Sequence, residues 1–489
     1  MRRGHVLALD QGSSGSRALL LDDRGCAVAA ASRPVRTARP QAGRFEHDAL
    51  ELARSLELCL EQALAALPAG ERSVVVGLAC QRSTVVFWDR RSGRPAAVAP
   101  SWQDGRAADL VAGLSRRQAW CRRRTGLYLT PYYSAPKIAW FLKHCAAVQR
   151  LAESGRLLAA PVASYLVWRW SGGEVFAADP TTAQRMLLLD LRALDWDADL
   201  LSLFGVPREI LPEVRPGAGA WAQFKRAGRL LRLMSVCGDQ QAAFVGLGGR
   251  EDGRSVANYG TGAFWLHAAE GPRPLPGLLC SAAATASGRK PSCLHEGTVH
   301  AAGTSLDWLR DPLGLLDEDA NLEQVLRAAK SRVWALPAIG GLGAPRWDCD
   351  ARAAFFGLTA ATSRADLVRG VVEGLAFLMA EVVEALRAGG VKPARASVSG
   401  GLSRCDWLMQ FQADLLGIPL LRCADAQATA CGAAALAAEA AGLDWAARLS
   451  RPRVERAFRP RGGRAAQGLL EDWRAFVAAQ QGLRRRLFP

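Results

Sequence analysis

Lysine is scarce in this 489-residue chain: six of its 62 basic residues are lysine and the rest are arginine. The net charge is +16 and the isoelectric point lies near 9.8. A basic surface can bind nucleic acid by displacing counterions from phosphates. Here the arginines are spread along the whole chain, and the densest groups, Arg122-Arg123-Arg124 and Arg484-Arg485-Arg486, are short. That distribution reads as a compositional bias with no nucleic-acid patch, giving a solvated surface that draws in anionic nucleotides. Long apolar runs are missing too. The run from Val74 to Cys80 falls far below the roughly 18 residues of a bilayer span, so no membrane partner is expected. The N-terminus, Met1-Arg2-Arg3-Gly4-His5, leads into only four apolar residues before Asp10, too few for a secretory signal. Paired cysteines are lacking. The twelve thiols stand singly with no C-x-x-C and no Cys/His cluster at zinc spacing, and His295 and His300 match no metal motif. Reduced thiols in a cytoplasmic protein are the expectation.

What is present describes a globular protein: half the residues are hydrophobic and the mean hydropathy is +0.02. The length exceeds what one core serves, so two domains of roughly 200 to 250 residues are expected. Strands alternate with helical stretches, the pattern of an α/β fold. Val6 to Leu9, Arg17 to Leu21 and Cys26 to Ala30 read as an antiparallel meander. A helix follows from Asp48, its N-cap, to Leu67, and then a strand over Ser73 to Ala79. Ser255 to Leu266 repeats the opening scheme of a strand, a Gly-plus-hydroxyl turn and a second strand. That echo points to a duplicated domain, with two glycine turns facing each other across a cleft and two lobes that close on a ligand. The boundary falls near Gly246 to Gly253, giving domains of 1–245 and 246–489.

Four segments carry chemistry. In Asp10-Gln11-Gly12-Ser13-Ser14-Gly15-Ser16-Arg17 a tight turn offers N–H groups and hydroxyls to phosphate oxygens; Asp10 can hold magnesium through water, and Arg17 adds a charge-assisted contact. Such a turn is also an ordinary hairpin. Asp239, in Gly238-Asp239-Gln240-Gln241, opens a helix after the strand Leu231 to Val236, where an N-cap is the plain alternative. Gly400-Gly401, between a strand and the helix Asp406 to Leu416, lets a base or ribose approach the backbone. Ala428 to Ala435 is a small-residue helix suited to tight packing.

Together these segments resemble the FGGY family of carbohydrate kinases over nearly the whole chain. The ordered series includes Phe45-Glu46-His47-Asp48, Cys80-Gln81-Arg82, Trp102-Gln103-Asp104, Thr125-Gly126-Leu127, Pro131-Tyr132-Tyr133-Ser134, Gly238-Asp239-Gln240-Gln241, Tyr259-Gly260-Thr261-Gly262 and Gly341-Leu342-Gly343-Ala344-Pro345. Phe356-Gly357-Leu358-Thr359 and Leu408-Met409-Gln410-Phe411-Gln412 follow. The resemblance implies two actin-like ATPase (ribonuclease H-like) domains flanking a catalytic cleft, and transfer of the γ-phosphoryl group of ATP, with Mg2+, to a hydroxyl of a small polyol. It implies Asp10 on the magnesium side and Ser13, Ser14 and Arg17 in the phosphate turn. Thr261 and Gly303 would be further nucleotide contacts and Gly401 the adenosine-side glycine. Arg82, Trp102, Tyr132, Asp239, Gln240 and Phe264 would form the polyol pocket, with Asp239 the base. Glycerol, giving glycerol 3-phosphate, is the best single acceptor. Three positions depart from the glycerol-phosphorylating pattern: Ser83 stands where a glutamate is expected, Asp307 where a glutamine and Cys405 where an asparagine. Ser83 opens the alternative of a tetritol or pentulose. A catalytically silent actin-like regulator is a more distant alternative, and a homo-oligomer is expected by analogy alone.

Overall fold

The apolar run that opens the chain becomes β1, Val6–Gln11, buried at every residue. This is a computed structural model, and it describes residues 4–285, 292–424, 427–462 and 464–487. Met1 to Arg3 of the N-terminal stretch lie outside them. β2 (Gly15–Leu21) folds back antiparallel on β1, and β3 (Ala27–Pro34) on β2. β3 runs four residues past the predicted end because its pairing with β2 continues to Gly15 opposite Pro34, through a segment too exposed and polar to read as a strand. In α1, Ala49–Leu64, the Asp48 carboxylate accepts from the N–H groups of Leu50 and Glu51, as an N-cap should. The helix stops short of the predicted Leu67 because Pro68 disfavours helical backbone just before it.

β4 (Ser73–Cys80), β5 (Ala218–Arg226) and β6 (Arg229–Gly238) complete a six-stranded sheet of order β5-β6-β4-β1-β2-β3, in which β4 lies parallel to both β1 and β6. Asp239 then starts α2, Asp239–Gly246. The second sheet repeats the scheme. β7 (Arg254–Tyr259) pairs antiparallel with β8 (Ala263–Ala269), and β9 (Leu279–Ala282) and β10 (Cys293–Val299) extend that edge. After α3 (Gly303–Arg310) and the long α4 (Arg364–Ala388) comes β11 (Arg395–Ser399), parallel to β7. α5 (Asp406–Leu416) leads to β12 (Leu420–Cys423), parallel to β11. Stripped of its extra edges, each sheet has a hairpin of three strands followed by two parallel ones, so the two halves share the actin-like topology.

α6, Ala428–Ala440, belongs to the second half in sequence but packs on the first sheet and crosses α2. Its small residues make that possible: a Cβ added at Gly432 would meet the Ala242 carbonyl at 1.8 Å, and one at Gly246 the Ala428 carbonyl at 2.1 Å. Val6, Ala8, Val75 and Ala79 share one buried cluster with Ala433, Leu436 and Ala437. The sequence segment that reads as a tight-packing helix is therefore the seam between the halves.

The Arg122 to Arg124 group does not form an open patch. Arg122 donates to the Leu275 and Leu278 carbonyls, and Arg124 pairs with Asp197 and Asp199. Among the described residues the cysteines form no disulfide. Among the described residues, no helix is long and apolar enough to cross a membrane.

Candidate active site

β1 ends where β2 turns back, and the Gly12 N–H donates to the Gly15 carbonyl at 3.0 Å to close the turn that carries Ser13 and Ser14. The antiparallel register sets Asp10 opposite Arg17, whose Nη1 lies 3.9 Å from Oδ2. Arg17 is mostly exposed, whereas Asp10 is buried. Burial, and then neighbouring Asp239, push the Asp10 carboxyl up to about 7 against the pull of Arg17. A buried, under-compensated carboxylate beside a phosphate-type turn suits magnesium, which takes one or two carboxylates and completes its shell with phosphate oxygens and water. The residues present therefore fit the ion. Among the described residues there is no group of three or more His, Cys, Asp and Glu that could hold a metal by itself.

The same turn is tied to the second part of the site. Gln81 donates from Nε2 to the Gly12 carbonyl at 3.1 Å and accepts from Thr84 Oγ1, which in turn accepts the Trp102 N–H. Between them sit Arg82 and Ser83 at the end of β4. Arg82 reaches Asp239, with Nε 3.4 Å from Oδ1, and passes Gly238, where a Cβ would lie 2.7 Å from its Cδ. That close approach explains the glycine ahead of the aspartate. Asp239 is not the N-cap of α2. Gly238 is, and the Asp239 carboxylate, partly exposed, turns toward Arg82, with Oδ1 accepting the Gln240 N–H at 2.7 Å. Loss of hydration pushes the Asp239 carboxyl up, against the pull of Arg82. Gln240 Oε1 is buried with no hydrogen-bond partner among the described residues.

Ser83 holds a left-handed backbone, φ 67°, unusual for a residue with a Cβ. Its carbonyl accepts from Ser134 Oγ at 3.2 Å and from Lys137 Nζ at 3.1 Å. Lys137 is wholly buried, which pulls its amine down to about 7. Trp102 and Tyr132 are each 37% exposed, as walls of an open pocket would be. Burial and the adjacent Cys349 thiol, from the second half, push the Tyr132 hydroxyl up. Phe264 lies opposite Thr298 on β10, and strand alternation sets it on the sheet face that carries Glu296.

On the far side, Gly303 opens α3 with its N–H on the Gly260 carbonyl at 2.9 Å, and the Thr261 carbonyl accepts the Ala302 and Thr304 N–H groups. A cavity of about 460 Å³ opens there, lined by Gly303, Asp307, Gly401 and Cys405 together with Arg310 and Glu323. The glycine pair divides its work. Gly400, at φ +92°, packs against the Tyr259 carbonyl, where a Cβ would sit at 2.5 Å, while Gly401 faces open space. Asp307 pairs with Arg310 at 3.2 Å, and Cys405 Sγ lies 3.8 Å from Glu323 Oε2.

Two family models cover the chain: the FGGY family of carbohydrate kinases, N-terminal domain, over residues 5–246, and its C-terminal domain over 255–441. The chain belongs to the FGGY family of carbohydrate kinases. It is 40% identical to a glycerol kinase of Alkalilimnicola ehrlichii over 93% of its own length and 92% of the relative's. A Thermus brockianus glycerol kinase is 39% identical over 98% and 99%. Among solved structures, Plasmodium falciparum glycerol kinase with ADP superposes with a TM-score of 0.90 at 26% identity, covering 98% of each chain.

In this FGGY kinase, sequence reasoning missed two charged residues that complete the cleft. Glu296 on β10 makes a two-pronged pair with Arg82, both contacts at 3.1 Å, and also pairs with Arg185 from the turn Gln184–Met186. Burial opposes its ionisation, but Arg185 and Arg82 more than reverse that and hold it at about 2. The one sign in the sequence is a charged residue amid an otherwise uncharged strand.

Proposed function

We propose that the chain is a glycerol kinase, transferring the γ-phosphoryl group of ATP to a primary hydroxyl of glycerol to give glycerol 3-phosphate. The observation that carries this reading is the juxtaposition of a partly exposed Asp239 carboxylate with a buried Gln240 Oε1 that has no hydrogen-bond partner among the described residues. One group accepts the proton of the attacking hydroxyl, and the other accepts a hydrogen bond from a second hydroxyl, which an acceptor with adjacent hydroxyls supplies.

With Oδ1 held by the Gln240 N–H and facing Arg82, Oδ2 is the oxygen presented to the acceptor hydroxyl. Arg82 and Tyr132 hydrogen-bond the acceptor, and Trp102 and Phe264 cover its C–H faces. The turn at Ser13 and Ser14, with Arg17, Thr261 and Gly303, receives the phosphates, and Gly401 the adenosine. Magnesium, held from Asp10, neutralises phosphate oxygens when bound. Asp307 and Cys405 line the nucleotide cavity in forms that supply no amide to the base. The need for ATP supports a cytoplasmic enzyme.

Ser83 favours a second reading, a kinase for a tetritol or pentulose, because a serine leaves room a glutamate would fill. ADP release from MgATP against glycerol, erythritol, xylitol, D-xylulose, L-ribulose and dihydroxyacetone separates the two. Glycerol with the highest kcat/KM is expected; a longer acceptor in first place overturns the assignment, and absence of ADP release with every one of these acceptors would make the chain a silent nucleotide binder.

A further inference from the structure

Beneath the acceptor pocket lie four charges in contact: Arg82 and Arg185 from the first half, Asp239 at its end, and Glu296 from the sheet of the second half. Glu296 is 1% exposed and the two arginine side chains 9% and 5%, so solvent does little to screen them. The charges balance, two against two. Ser281 Oγ donates to Glu296 Oε2 at 2.9 Å, and Arg185 donates to Ser281 Oγ at 2.7 Å, so the carboxylate is held from three sides.

The guanidinium of Arg82 is a planar fork, and whichever carboxylate takes its two ends sets its plane. Glu296 takes both ends here. What remains toward Asp239 is a single approach of Nε at 3.4 Å, longer than a good hydrogen bond. Were Glu296 shorter or uncharged, the nearest anion for the fork would be Asp239, and the group that has to receive a proton would become the partner of a buried cation. The missing carboxylate at Ser83 sharpens this, since that position offers Arg82 no alternative anion.

We infer that Glu296 is a positioning residue for phosphoryl acceptance: it occupies the Arg82 fork, leaves Asp239 only the single long approach of Arg82 Nε and so orients both groups toward the acceptor hydroxyls. A buried ion pair that merely joined the two halves would affect stability without touching one substrate more than the other. The inference rests on the proposed polyol site beside Asp239.

Glu296→Asp tests it, because the charge is kept while the carboxylate withdraws by one carbon. Losing charge-assisted contacts of this kind corresponds to roughly ten- to hundredfold. The expected result is that scale of rise in KM for glycerol together with a lower kcat, while KM for ATP stays within about twofold. A Glu296→Gln/Arg185→Gln double variant preserves the charge balance and should show the same one-sided loss even where Glu296→Gln alone does not fold. Glycerol KM and kcat unchanged in Glu296→Asp, with an active parent, overturn the role of Glu296 alone. A parent silent with every polyol takes the proposed function down as well.

Discussion

At the residue scale, the site depends on two carboxylates that burial makes reluctant to ionise, and each predicts a distinct behaviour. Replacing Asp239 by Asn removes the proton acceptor while keeping its shape, and a drop in kcat of roughly 10²- to 10⁴-fold is expected; turnover within tenfold of the parent rules out general-base transfer through this residue. Asp10 contributes in the opposite sense to stability. Its carboxyl rises from 3.8 to about 7 on folding, so the folded chain holds a proton that the unfolded chain has released. Stability is therefore lost progressively as pH rises from about 4 to about 7. Asp10→Asn removes that penalty. The variant should melt higher than the parent at pH 8, with a gap that narrows toward pH 5, while losing activity; equal melting temperatures at both pH values contradict the assigned burial penalty. Ser83→Glu restores an acceptor of substrate hydroxyls, and a glycerol KM about tenfold lower is expected if the pocket is otherwise set for glycerol. These residues were legible in the sequence because each stands in a short motif whose chemistry is local. Glu296 and Arg185 were not, because an ion pair across 111 residues leaves no spacing to read.

At the scale of elements, strands and helices followed from periodicity and caps wherever one segment decides its own conformation. α5 begins and ends where its pattern says, Asp406–Leu416, and α1 starts at its Asp48 cap. What periodicity cannot supply is the partner of an element. α6 is almost uniformly small and apolar, which signals close packing but not that it packs on the sheet of the other half. The crossing at Gly432 and Gly246 is backbone on backbone, so it has no side chain to yield. Gly432→Val therefore should cost several kcal/mol, on the scale of overpacking at its most severe. A fall in melting temperature of many degrees, or failure to fold, is the expected outcome by calorimetry. A variant that melts within two or three degrees of the parent places the seam elsewhere.

At the scale of the whole molecule, two echoing sheets meet at that seam, and the groups that would bind one MgATP are divided between them. The Asp10 side lies on the first sheet, while Gly303 and Gly401 line the cavity on the second. A ligand that touches both halves stabilises the folded chain by its binding free energy, about 2.7 kcal/mol at a hundredfold excess over Kd. MgATP should therefore raise the melting temperature by a few degrees, and ATP with excess EDTA by clearly less, because free ATP leaves the Asp10 carboxylate facing phosphate charge. Asp10→Asn should erase that difference: removing the carboxylate removes both the anchor for the ion and the repulsion that the ion relieves. A parent protein stabilised equally by ATP with and without magnesium would dissociate Asp10 from the metal. It would leave burial beside Asp239 as the only account of a carboxyl held at about 7.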